Sequence, residues 1–97
     1  MFDKLYVPQA RDELMPRIQS MKHQILEDSD KRFVVSVRIK DRDVQIILAE
    51  IYRKTVTVDI LDPFGFIRIP RKNFKKMDDF KLFVMTEIPK IVEASLK

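Results

Sequence analysis

Apolar residues recur early in the chain at Ala10, Leu14, Ile18, Met21 and Ile25, spaced by four, four, three and four positions. That period places them on one stripe of an amphipathic helix. Arg11, Asp12, Arg17, Lys22 and Glu27 form its solvated side, and Pro8 suits a first helical turn. Pro16 falls inside the pattern, where the missing N–H predicts a kink or a restart. Glu27, Asp28, Ser29 and Asp30 read as an acidic, turn-rich exit.

The period then changes to two. Phe33, Val35, Val37 and Ile39 alternate with Val34, Ser36, Arg38 and Lys40, which is a strand with one apolar face. Asp41, Arg42 and Asp43 make a short polar connection compatible with a hairpin. In the second strand Val44, Ile46 and Leu48 mark one face, and Ile47, Ala49 and Ile51 the other. After a turn at Arg53 and Lys54, a third strand alternates Val56, Val58 and Ile60 with Thr55, Thr57 and Asp59. Asp62, Pro63 and Gly65 carry a type I turn signature, and Gly65 is the only glycine. Phe66, Ile67, Arg68 and Ile69 alternate as a fourth strand, which Pro70 ends. From residue 79 a second helical stripe, Phe80, Val84, Ile88 and Ile91, runs to the end of the chain, with Pro89 repeating the problem of Pro16.

These elements predict an α+β fold: a helix, a four-stranded antiparallel meander and a C-terminal helix, in one domain over residues 1–97. One sheet face takes Phe33, Val35, Val37, Val44, Ile46, Leu48, Val56, Val58, Ile60, Ile67 and Ile69. The other takes Val34, Arg38, Ile47, Ala49, Ile51, Thr55, Thr57, Phe66 and Arg68. Either one helix covers each face, or the second face is an interface. The expectation is a homodimer through that face, with Val34, Ile47, Ile51 and Phe66 at its centre, because so large an apolar patch marks a contact surface.

Composition narrows the function. The single glycine excludes glycine-rich phosphate loops and dinucleotide fingerprints. The absence of cysteine excludes disulfides and thiolate metal sites, and fits a reducing, cytoplasmic setting. No apolar run approaches the roughly 20 residues of a membrane helix. The chain starts at Met1 without a signal-peptide pattern and reads as a whole gene product. His23, the only histidine, has no evident orienting partner on the predicted helix. Asp41 and Asp43 are explained as turn formers. No catalytic residue, metal ligand or cofactor site is assigned, and the chain is read as a non-enzyme.

The net charge is +4, and it is uneven. Residues 1–30 hold four bases and six acids, while residues 62–97 hold eight bases and five acids. Arg68, Arg71, Lys72, Lys75 and Lys76 follow one another with no acid among them before Asp78. A helix starting near Arg71 or Asn73 would set these cations at its positive end, whereas Asp78 and Asp79 suit a helix start. Phe64, Gly65, Phe66, Ile67, Arg68 and Ile69 resemble the aromatic strand of RRM and cold-shock domains, which stacks on bases. Asp62 and Pro63 replace the basic residue and glycine of that motif, and the element order differs from both folds, so neither family is assigned. The functional expectation is a basic binding module contacting nucleic acid through Arg38, Lys40, Phe66, Arg68, Arg71, Lys72, Lys75 and Lys76. The rival is a protein–protein adaptor, inhibitor or minor subunit that uses the apolar sheet face.

Overall fold

The computed structural model describes residues 5–51, 55–62 and 69–96. The order is α1 (Val7–Ile18), β1 (His23–Asp28), β2 (Arg32–Ile39), β3 (Arg42–Ile51), β4 (Thr55–Leu61), β5 (Lys72–Phe74) and α2 (Met77–Leu96). The five strands form one antiparallel meander in chain order. The fold is thus α+β with a helix at each end of the chain, and among the described residues it has two strands, β1 and β5, that the hydrophobic pattern does not predict.

The extra strand at the start corrects the helix forecast. α1 ends at Ile18, and a turn in which Met21 N–H donates to the Ile18 carbonyl (3.0 Å) carries the chain into β1. Met21 is buried beside the helix end, which extends the apolar stripe by one position without extending the helix. Ile25, the next position of that stripe, is exposed on β1. His23 therefore lies on a strand. Pairing with β2 overrides local helix propensity here. A tight turn closes the hairpin, with Ser29 N–H donating to the Arg32 carbonyl (2.9 Å) and Ser29 Oγ accepting from Arg32 N–H (3.1 Å).

At the other end, β5 forms inside the basic run. Phe74 anchors it, with its ring edge-on to Phe80 (5.6 Å, 86°) and 5.2 Å from Phe83. Thr57 Oγ1 donates to Asn73 Oδ1 at 3.0 Å and ties β4 to β5. α2 then starts at Met77 with Asp78 and Asp79 in its first turn, where carboxylates offset the positive helix end. The predicted turn and fourth strand around residues 63–68 lie outside the described residues.

Both helices run through their prolines, Pro16 and Pro89. Each proline removes a bond to the carbonyl four residues earlier, on Asp12 and Met85. Both of those residues are exposed, so water can satisfy the released carbonyl.

The two helices share one sheet face. α1 contacts α2, β2 and β3, while α2 contacts β2 and β5. A single core results: Ala10, Leu14 and Ile18 of α1, Phe80, Val84, Ile88 and Ile91 of α2, and Phe33, Val35, Val37, Val44, Ile46, Leu48, Val56, Val58 and Ile60 of the sheet. Every helix-side position predicted for β2, β3 and β4 is buried, but Val34, Thr55 and Thr57, predicted on the opposite face, are buried as well. Of the two ways to cover the sheet, helices on both sides does not occur among the described residues.

Candidate interaction surface

The face away from the helices is built in cross-strand rows. One runs Val34, Ile47, Asp59 across β2, β3 and β4, starting from Glu27 on β1. Its neighbour runs Arg32, Ala49, Thr57, Asn73. On the other side lies Gln24, Ser36, Gln45, Leu61, and beyond it Arg38 opposite Asp43. Ile51 opposite Thr55 closes the far end. A register shift between Ile25 and Glu27 places the extra residue Leu26 beside the first row.

Accessibility varies along these rows. Val34 and Thr57 are 5% exposed and Thr55 7%, while Ile47 and Ala49 are half-buried. Leu26, Ile51 and Leu61 are 48, 44 and 49% exposed. Val34, Thr55 and Thr57 are thus covered, while larger apolar side chains stand exposed at the rim. Of the interface residues predicted from sequence, Val34 and Ile47 share one row and Ile51 lies toward the end of β3. Phe66 lies outside the described residues.

The charges of this face pair with one another. Arg32 Nε donates to Glu27 Oε1 at 3.0 Å, Arg38 Nη1 to Asp43 Oδ1 at 3.1 Å, and Arg71 Nε to Asp59 Oδ1 at 2.7 Å. The Asp59 carboxylate, chiefly by accepting that hydrogen bond, raises the Arg71 pKa above the usual guanidinium value. On the flank, Arg11 of α1 reaches Asp28 of β1 at 2.7 Å, and that bond likewise raises the Arg11 pKa.

The predicted cations fall into two groups. Arg38 and Lys40 lie at the β2–β3 turn, where Lys40 has φ 60° and its carbonyl accepts from Arg38 Nε at 3.3 Å. Arg71, Lys72, Lys75 and Lys76 lie just before, along and just after β5. Lys72 pairs through Val58 and Leu48 to Phe33, five residues before Arg38. The two groups are therefore about 14 Å apart across the strands and about 17 Å apart along them, at opposite corners of the sheet. Lys72 Nζ sits 5.9 Å from the Phe83 ring centroid on the helix side. Lys75 and Lys76 are exposed, and the Lys75 carbonyl accepts from Leu5 N–H at 3.3 Å. Arg68 lies outside the described residues.

Two hollows frame these surfaces. One, about 450 Å³, opens between the helices and is lined by Pro16, Arg17, Ile88, Pro89, Val92 and Glu93. The other, about 490 Å³, lies at the β1–β2 corner and is lined by Lys22, His23, Gln24, Ser36, Arg38 and Asp43. Sequence reasoning missed Lys22, Gln24 and Ser36 as neighbours, because it placed the first two on a helix. Among the described residues no group of three acids or histidines is placed to hold a metal ion, and no helix is long and apolar enough to cross a membrane.

Compared with known proteins, the chain matches no family model, no curated protein and no solved structure.

Proposed function

We propose that this chain is a non-enzymatic binding module whose helix-free sheet face packs against a second copy of itself. One observation carries the reading: the face free of helices among the described residues holds apolar rows, with Leu26, Ile51 and Leu61 exposed at the rim, and the charges flanking them are paired within the chain. An apolar face with neutralised flanks suits a second such face and gives a polyanion few free cations. Size agrees. Five strands at about 4.8 Å spacing span about 24 Å, and the seven residues over which β3 and β4 pair span about 24 Å, while β1 and β5 are shorter, at six and three residues. Such a face is of the order of the roughly 800 Å² per partner that stable interfaces bury. Two such faces would pack about 10 Å apart, with strand directions within about 30°.

Binding rather than catalysis is supported by the state of His23, whose Nδ1 lies 2.8 Å from the Met21 carbonyl, with no carboxylate among the described residues bonded to its ring. The test of the docking face uses the chain's lack of cysteine. A single thiol introduced as Ala49→Cys should be slow to react with a maleimide at high protein concentration and fast on dilution. A rate independent of concentration speaks against a second copy on this face.

A second reading is nucleic-acid binding at the β5–α2 junction. It is favoured by Lys75 and Lys76, which are exposed and have no carboxylate partner among the described residues. Such binding would weaken steeply with salt.

A further inference from the structure

The corner hollow carries a conflict of its own. Lys22 and Arg38 are cross-strand neighbours, and Arg38 N–H donates to the Lys22 carbonyl at 2.8 Å. Like charges in that relation repel. Among the described residues the single carboxylate lining the hollow, Asp43, is engaged with Arg38. No carboxylate among the described residues pairs with Lys22. Arg38 is held by two bonds, from Nε to the Lys40 carbonyl and from Nη1 to Asp43, which leaves its other N–H groups free to meet a ligand.

The remaining lining is polar in a particular way. Gln24 and Ser36 face each other across β1 and β2 and bring an amide and a hydroxyl. A carbonyl can only accept, so His23 Nδ1 carries the proton in its bond to Met21. Nε2 is then an acceptor for a hydroxyl. Among the described residues, no aliphatic side chain other than the lysine stem and no aromatic ring other than the His23 imidazole lines the hollow, so its lining is chiefly hydrogen-bonding.

We propose that this hollow binds a small phosphorylated polyol of the sugar-phosphate type, with the phosphate between Lys22 and Arg38 and hydroxyls on Gln24 and Ser36. A dianion would relieve the Lys22–Arg38 repulsion, and the guanidinium fork matches phosphate oxygens. The hollow lies at the β1 edge, at the margin of the apolar rows, and the proposal does not depend on self-association.

Amide-resolved NMR titration tests it, with ribose 5-phosphate, inorganic phosphate and ribose as probes at low ionic strength. The expected result is saturable shifts at Lys22, His23, Gln24, Ser36 and Arg38, tightest for ribose 5-phosphate, weaker for phosphate and absent for ribose. Phosphate binding as tightly as ribose 5-phosphate overturns the polyol assignment. No shift at these amides with either phosphate overturns the site altogether. Lys22→Glu replaces the repelling pair with an attracting one. It should weaken ribose 5-phosphate at least tenfold while the melting temperature holds or rises. Unchanged affinity in this folded variant contradicts the proposal. Arg38→Lys keeps the charge but not the fork, and should lose affinity several-fold.

Discussion

Two consecutive residues of β3 test the one-sided core. Leu48 points to the helices and is fully buried, while Ile47 points to the uncovered face and is half-buried. Leu48→Ala should cost about 3 kcal/mol, since it removes most of a packed side chain and leaves a cavity between sheet and helices. Ile47→Ala loses only the half of its apolar area that the chain itself covers, about 1 kcal/mol. For a domain of this size each kcal/mol shifts the melting temperature by about 4–8 °C. The expected losses are thus about 12–24 °C for Leu48→Ala and about 4–8 °C for Ile47→Ala, read by far-UV circular dichroism at micromolar concentration. Melting at a hundredfold higher concentration adds a second readout. A dimer raises the wild-type midpoint by mass action, and Ile47→Ala should shrink that rise while Leu48→Ala preserves it. Equal losses for the two variants at both concentrations would refute the one-sided core, because the outer face would then be packed as tightly as the inner one within a single chain.

Other expectations follow from single contacts. Lys40 holds a left-handed φ of 60°, which costs a side-chain-bearing residue roughly 1–2 kcal/mol, so Lys40→Gly should raise the urea midpoint or leave it level despite glycine's added chain entropy; a clear drop would mean the lysine side chain stabilises the turn. Asp62, whose side chain is fully buried, lies 3.8 Å from Arg42 Nε. Asp62→Ala should destabilise by about 3 kcal/mol in chemical denaturation, because it takes one partner from a mostly buried ion pair; a loss under 1 kcal/mol would show that the remaining groups around Arg42 compensate the guanidinium. If the β5–α2 junction binds nucleic acid, the double variant Lys75→Glu, Lys76→Glu should weaken a labelled single-stranded oligonucleotide at least tenfold in fluorescence anisotropy, alike for all sequences. Wild-type protein that shows no salt-sensitive binding removes that reading.

The strands with one wet face were legible because burial imposes a strict period of two. Phe33, Val35 and Val37, Val44, Ile46 and Leu48, and Val56, Val58 and Ile60 all point into the core as the alternation predicts. The start of α2 was legible from Asp78 and Asp79. β1 was not, since all six of its residues are exposed and it owes its existence to pairing with β2. Its Ile25 fell by coincidence on a helical spacing from Ile18 and Met21. β5 is three residues long and is held by Phe74 and the Thr57–Asn73 bond, which no local pattern reveals. The charge pairings were not legible for the same reason. Arg71 is followed by bases in sequence, but its carboxylate partner is Asp59, twelve positions earlier. The Lys22–Arg38 juxtaposition likewise appears only once the β1–β2 register is known.

The most direct test of the docking face is light scattering coupled to size exclusion over a range of concentrations, run on the wild-type chain and on Ile47→Glu. A charge in the middle of the apolar rows should abolish self-association without touching the helix-side core. The account predicts a wild-type mass that rises toward twice the 11.6 kDa of one chain, and an Ile47→Glu variant that is folded and stays at one. A wild-type protein that remains a monomer at the highest concentration, or a variant that dimerises as well as wild type, would contradict it.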